Sequence, residues 1–292
     1  MICWRRVRQI SWLRSMTRKG AAGRGAVTPG MADATVGSKG SVLVTRPAGQ
    51  TVALCSAVEA AGYTAHSQPL LELQALSELP PSQRQLLLDL ERYQHVIFVS
   101  GNAVHFGMAC IEDYWPQVPV GLTWYAIGDA TAALLYDFGI EAVIPGTPMT
   151  SEGLLAVPQL QRVAGQRILI IKGEGGRTTL REELVHRGAK VDELACYRRV
   201  CPDLPAGELA ARMSEWRINL VMISSGEGLA NLKTLLRRPE TTKFRDICVI
   251  VPSERIARMA QKAGFGQVVT AENASDVAML HALKEWKPGS GE

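Results

Sequence analysis

Few residues of this 292-residue chain combine a reactive side chain with a placement that could use it. Tyr197 stands in "ACYRRV", followed by Arg198 and Arg199, in a stretch that reads as extended. Alternation along a strand puts Tyr197 and Arg199 on one face and Arg198 on the other. A phenol beside cations is acidified and can donate a proton. The plainer alternative is an amphipathic tyrosine packed against one half of the molecule. Two further stretches share one grammar. "VIFVSGNAV" and "VMISSGEGL" each run from an apolar strand into a serine, a glycine and a helix start. Unpaired N–H groups and a partial positive charge at a helix start suit carboxylates or phosphates. Ser100, Gly101, Asn102, Ser225 and Gly226 are therefore candidate anion-binding residues. The plainer reading is that both serines cap their own helices, which alone is worth about 1 kcal/mol.

Other chemistries find little support. "GEGGRTT", Gly173 to Thr179, has neither P-loop nor GxGxxG spacing, although its glycines permit close backbone approach at a strand end. The five histidines show no metal-ligand pairing, and no carboxylate pair or GxSxG elbow is visible. Six scattered cysteines without CxxC read as small buried hydrophobes in a reducing cytoplasm rather than a disulfide or metal framework. These patterns point to no metal or dinucleotide site.

The charge balance divides the chain. Residues 1–40 carry eight basic residues against one acid, Asp33, for +7; the remainder holds 24 basic and 27 acidic residues, for −3. The body is not basic overall, so a nucleic-acid footprint is not supported. No apolar run reaches the roughly 18–20 residues of a membrane span. The head is rich in Gly, Ala and Arg and lacks both a periodic apolar pattern and a secretory h-region. It shares arginine richness with organelle transit peptides, but reads more simply as an extension outside the fold, with Met31 as an alternative start.

From Ser41 onward, short apolar strands alternate with amphipathic helices. That pattern expects an α/β fold with parallel sheets covered by helices on both faces. Landmarks recur at a fixed distance: Ser100 and Ser225, Gly139 and Gly264, and Val143 and Val268 are each 125 residues apart. Such a period suggests duplication of a whole α/β unit. In open sheets of this kind ligands sit beyond the carboxyl ends of the strands, where both Ser-Gly pairs fall.

Taken in order, "VLVTRP", "VIFVSGNAV", "YAIGDATAALL", "SEGLL", "IKGEGGRTTLREELVHRGAKVDELACYRRV", "ISSGEGLANL" and "VPSERIARMAQKAGF" resemble the uroporphyrinogen-III synthase family. The resemblance implies two flavodoxin-like lobes joined by two extended linkers near 71–76 and 196–201. Lobe one would comprise 41–73 plus 201–286, lobe two 77–196, with a tail at 287–292. It implies a cyclising lyase that converts linear hydroxymethylbilane to uroporphyrinogen III without a metal or organic cofactor. Loss of the terminal hydroxyl gives an azafulvene, attack gives a spiro intermediate, and reclosure inverts ring D. It assigns Tyr197 the role of proton donor and Thr131, in the "IGxxTA" motif, a place at the site. Arg46, Gly128, Ser151, Gly173, Arg177, Ser253 and Arg255 join the candidate binding residues on the same basis. Val99 stands where the family's Thr-Ser-x-Asn pattern has threonine. The expected setting is cytoplasmic and monomeric, with hand-over of substrate from hydroxymethylbilane synthase. The competing reading is a non-catalytic two-lobe binding protein or sensor for an anionic small molecule.

Overall fold

The computed structural model describes residues 38–76, 78–176, 178–236 and 245–286. Met31, Arg177, most of the basic head and the tail at 287–292 lie outside the described residues. Ser38 to Gly40, assigned to the head by sequence, already hydrogen-bond to the fold: the Lys39 amide donates to the Gly62 carbonyl at 2.9 Å, and its ammonium to the Ala61 carbonyl at 3.0 Å.

The first sheet contains β1 (Ser41–Val44), β2 (Thr64–Ser67), β9 (Ile218–Met222), β10 (Cys248–Val251) and β11 (Gln267–Thr270). Its order is β2-β1-β9-β10-β11, parallel throughout. The second contains β3 (Glu72–Ala75), β4 (His95–Phe98), β5 (Thr123–Ala126), β6 (Ala142–Val143), β7 (Arg167–Gly173) and β8 (Lys190–Val200). Its order is β3-β8-β7-β4-β5-β6. Every pair there is parallel except β3 with β8. Setting that edge strand aside, both sheets have one arrangement: two strands from one part of the chain pair with three from the other. The fold is thus the expected α/β class with parallel sheets.

Helices cover both faces. They are α1 (Val52–Ala60), α2 (Pro81–Leu88), α3 (Gly101–Glu112), α4 (Asp129–Tyr136), α5 (Ser151–Leu155), α6 (Thr179–His186), α7 (Glu208–Glu215), α8 (Gly226–Leu235), α9 (Glu254–Ala263) and α10 (Asp276–Glu285). β4 and β10 are buried at every residue, as strands packed on both sides must be. Each sheet accordingly has two apolar layers: one side of the first is built around Leu43, Val221 and Val249, the other around Val42, Val44 and Leu220. In the second sheet the α3 side holds Phe98, Leu169 and Ile171, and the α6 side Ile97, Ile168 and Ile170. Gly139 and Gly264 of the sequence period, and Gly62 and Gly188, which lie 126 residues apart, all take positive φ, between 74° and 96°, just beyond a helix. That region favours glycine because it has no Cβ to clash.

Three stretches fold in ways that their sequences alone do not show. "YTAHSQPLLELQAL" is not one extended run: Pro69 follows β2, and β3 joins the other sheet. "SEGLLAVPQL" is not one helix, since Pro158 restarts the chain as a 3₁₀ turn after the short α5. The linker segments are not two separate tethers. They pair antiparallel, Glu72 with Val200 through Ala75 with Tyr197, which satisfies their backbone groups as the edge of the second sheet.

Candidate functional site

β7 and β8 set the geometry. Their register runs evenly from Arg167 with Lys190 to Lys172 with Ala195, then slips, so that Gly173 faces Tyr197 and Cys196 is the extra residue. This is a β-bulge, a device that re-aims a side chain. Leu194, Cys196 and Tyr197 all pack on the α3 side, although strict alternation would send Tyr197 the other way. The Tyr197 ring is 3% exposed and stacks on Phe106 of α3 with centroids 5.1 Å apart.

The ring also lies against Gly173. A Cβ at that position would sit 2.6 Å from Cζ and 2.7 Å from Cε2 of the tyrosine, closer than real Cβ atoms approach. Glycine is thus required there by the ring itself. The phenol oxygen is 3.5 Å from Ser100 Oγ. Neither guanidinium of the "YRR" run is spent on the phenol: Arg198 reaches Gln74 Oε1 at 3.3 Å and Arg199 reaches Glu227 Oε2 at 3.5 Å.

The phenol borders a cavity of about 370 Å³ at the carboxyl end of the second sheet. Ser100, Ser151, Gly173 and Tyr197 are sequence candidates that line it. Ser100, between β4 and α3, has extended backbone, and its hydroxyl accepts from the Ala103 amide at 3.1 Å. In α5 the capping hydroxyl is that of Thr150, which accepts from the Gly153 amide, with Ser151 the first helical residue. Gly101 and Asn102 open α3 beside Ser100 but are not among the lining residues. Gly128 caps α4 with extended backbone and faces Met149, which does line the cavity. Thr131 is buried in the first turn of α4, its amide donating to the Gly128 carbonyl, and is not a lining residue.

The first sheet carries the other candidates at its own carboxyl end. Ser225 caps α8, its hydroxyl accepting from the Gly228 amide at 3.0 Å. Ser253 precedes α9 with no side-chain capping bond. The Arg255 guanidinium lies against Gly226, 3.5 Å from where a Cβ would be. Arg46, just beyond β1, is already engaged: it pairs with Asp276 of α10 at 2.7 Å and donates to the Ala274 carbonyl. The ion pair of Arg199 with Glu227 joins the two groups, because Arg199 lines the cavity and Glu227 follows Gly226 in α8.

The cavity also collects residues that sequence reading passed over: Lys172, Arg181 and Glu193, with Gly175 and Gly176 at positive φ. Lys172 was the legible one, a lone charge ending the apolar run "ILIIK".

Other reactive groups are structural. His95 is buried, with Nδ1 3.0 Å from Tyr125 Oη and Nε2 2.6 Å from Gln166 Oε1. Burial pushes the Cys110 thiol up to about 11 and Cys248 to about 12, and raises Cys196 further, so none is a ready thiolate. Among the described residues, no group of three His, Cys, Asp or Glu side chains is placed to hold a metal ion. No described helix is long and apolar enough to cross a membrane.

Residues 52–281 match the family described as Uroporphyrinogen-III synthase HemD. The chain is 35% identical over 246 residues to the uroporphyrinogen-III synthase of Salmonella typhimurium and 33% identical over 249 residues to that of Escherichia coli. Each alignment covers 84% of this chain and 100% of the relative. Among solved structures, a mutant uroporphyrinogen III synthase from the extremely thermophilic bacterium Thermus thermophilus superposes with a TM-score of 0.52 at 18% identity, covering 84% of this chain and 97% of that one. The uroporphyrinogen-III synthetase of Helicobacter pylori 26695 gives 0.52 at 15%, covering 83% and 97%. These two likenesses concern the fold.

Proposed function

The chain belongs to the uroporphyrinogen-III synthase family, and from that membership we propose how its site performs the family's cyclising lyase reaction. The substrate is hydroxymethylbilane. The observation that carries the reading is the Tyr197 phenol, held over Gly173 and opening on a cavity with Lys172, Arg181 and Arg199 in its lining. At about 370 Å³ the cavity lies near the small end of ligand pockets, roughly 300–1,000 Å³. It takes the hydroxymethyl-bearing ring and its acid side chains, while the rest of the tetrapyrrole lies toward the helix starts at Ser225 and Ser253.

The chemistry needs little from the protein beyond placement. The pyrrole nitrogen pushes its electrons toward the ring, the C–O bond breaks, and hydroxide leaves with the bonding pair. Tyr197 gives that oxygen a proton, so water departs, and the pyrrole N–H proton released as the azafulvene forms restores the phenol. The azafulvene is then attacked by the substituted carbon of the far ring, and the spiro intermediate fragments and recloses inverted. Unassisted closure gives the other isomer, so holding the bilane folded is the main task. Helix N-termini bind the carboxylates through backbone N–H groups.

In this reading residues 41–73 plus 201–286 and residues 77–196 are two lobes, the products of a duplication, which close on the ligand by hinging at the β3–β8 ladder. The protein works as a cytoplasmic monomer that receives its substrate from hydroxymethylbilane synthase. The test is isomer analysis of the product formed from hydroxymethylbilane with and without this protein. The inverted isomer supports the reading. Tight binding without turnover replaces it with a binding protein for anionic small molecules.

A further inference from the structure

Within that reading, we infer that Lys172 is the cavity's internal carboxylate anchor, the group that sets the hydroxymethyl-bearing ring against Tyr197. Lys172 is the last residue but one of β7, and the residues before it, Ile168 to Ile171, are at most 2% exposed. Its own side chain is 12% exposed, and its ammonium is 3.0 Å from Glu193 Oε1 on the neighbouring strand. Moving the ammonium largely out of water is costly, the Glu193 side chain beside it is itself 30% exposed, and an apolar pair of the same volume packs such a place as well or better. Folding therefore does not explain the charge.

The ammonium has three donors in all. One reaches Glu193; both residues line the cavity that holds Tyr197. The other cations there are poorer anchors. Arg181 is exposed, and Arg199 is 40% exposed and paired with Glu227. A carboxylate meeting those two does so largely in water, where the gain is small. One that meets Lys172 does so in a low dielectric, where the same charges attract more strongly. Lys172 and Tyr197 line one cavity, so an acid group held by the ammonium shares that space with the phenol. Glu193 accepts from the ammonium and competes with an incoming carboxylate.

An anchor and a merely structural ion pair respond differently to mutation. Lys172→Met should raise KM and weaken equilibrium binding of reduced uroporphyrinogen III at least tenfold, with more uninverted isomer among the products. Glu193→Gln should leave that affinity unchanged or tighten it. Lys172→Arg should keep most of it. If Lys172→Met fails to fold because Glu193 is left unpaired, the double variant Lys172→Met/Glu193→Gln removes both charges; its affinity against Glu193→Gln isolates the lysine. Affinity within twofold of Glu193→Gln in the double variant would overturn the assignment. So would equal weakening by Glu193→Gln and Lys172→Met. A wild-type protein that forms no inverted isomer sinks the function itself, whereas an active wild type with an indifferent lysine sinks only the anchor.

Discussion

Replacing Gly173 with alanine adds one methyl group directly beneath the proposed acid. The new Cβ would stand 2.6 Å from Cζ of Tyr197 and 2.7 Å from Cε2. Carbon atoms in contact prefer about 3.5–4.0 Å, so the ring must retreat by on the order of 1 Å. It has little room to do so, since Phe106 stacks on it and it is 3% exposed. Overpacking of this kind costs about 1–3 kcal/mol of stability. The kinetic effect should be larger in proportion, because a displacement of about 1 Å at a reacting group can cost about 10²-fold in rate. The assay is the initial rate on hydroxymethylbilane under anaerobic conditions, with the porphyrinogens oxidised and the isomers separated. Thermal unfolding of the same sample measures the stability term. Gly146→Ala is the control, since a Cβ there meets nothing within 4 Å and should leave rate and stability near wild type. A Gly173→Ala protein that is folded and turns over at the wild-type rate would refute the reasoning, because the ring's position would then not matter.

Tyr197→Phe keeps the ring and deletes a hydroxyl whose contact with Ser100 is already long, at 3.5 Å. It should change Tm little, lower kcat about 10²-fold as loss of a positioned acid does, and leave product affinity intact; a wild-type kcat would reduce the tyrosine to packing. Gly226 occupies the first position of α8, where proline fits the helix and removes only an N–H. Gly226→Pro should therefore weaken product binding about 10-fold or more, as loss of a hydrogen bond to a charged group does, while Ser225→Ala costs about 1 kcal/mol in stability as a lost cap; binding unmoved by the proline excludes that amide as a carboxylate donor. Cys110, Cys248 and Tyr125 are held protonated by burial, to about 11, 12 and 12. Each binds its proton more tightly folded than unfolded, so stability is full below their ordinary values and lost as pH rises through the range between those and the folded values. Tm should fall from about pH 9 upward, as differential scanning calorimetry across pH 7–11 would show, and a flat profile would contradict the burial of these groups.

The elements were legible because their causes are local. "HVIFVS" and "CVIVPS" are apolar without alternation, and only a strand covered on both faces uses such a run. The glycines at 62, 139, 188 and 264 mark helix ends because a left-handed turn there favours a residue without Cβ. The caps at Ser100 and Ser225 were equally readable, since each hydroxyl meets an amide three residues on. Pairing between distant segments was not readable in this way. Nothing in "LLELQAL" says that residues 72–75 will pair antiparallel with 197–200, because that ladder is decided by backbone groups that any sequence carries.

The same limit explains which site residues were found and which were missed. Tyr197 was found by its neighbours in sequence, but its orientation comes from the slip at Cys196, a non-local event between β7 and β8 that leaves no local mark. Strand alternation does not account for its setting, since the two arginines beside it turn to Gln74 and Glu227 rather than to the phenol. Arg46 looked like a free cation because Asp276, its partner, lies 230 residues away. Lys172 was overlooked because the eye reads "ILIIKG" as a strand with a polar end, which is how a surface lysine looks. What distinguishes it is the cavity above and Glu193 beside it, both contributed by other segments. Replacing such a pair by apolar residues is often neutral or stabilising, so the proposed anchor role rather than packing is what would keep a cation there.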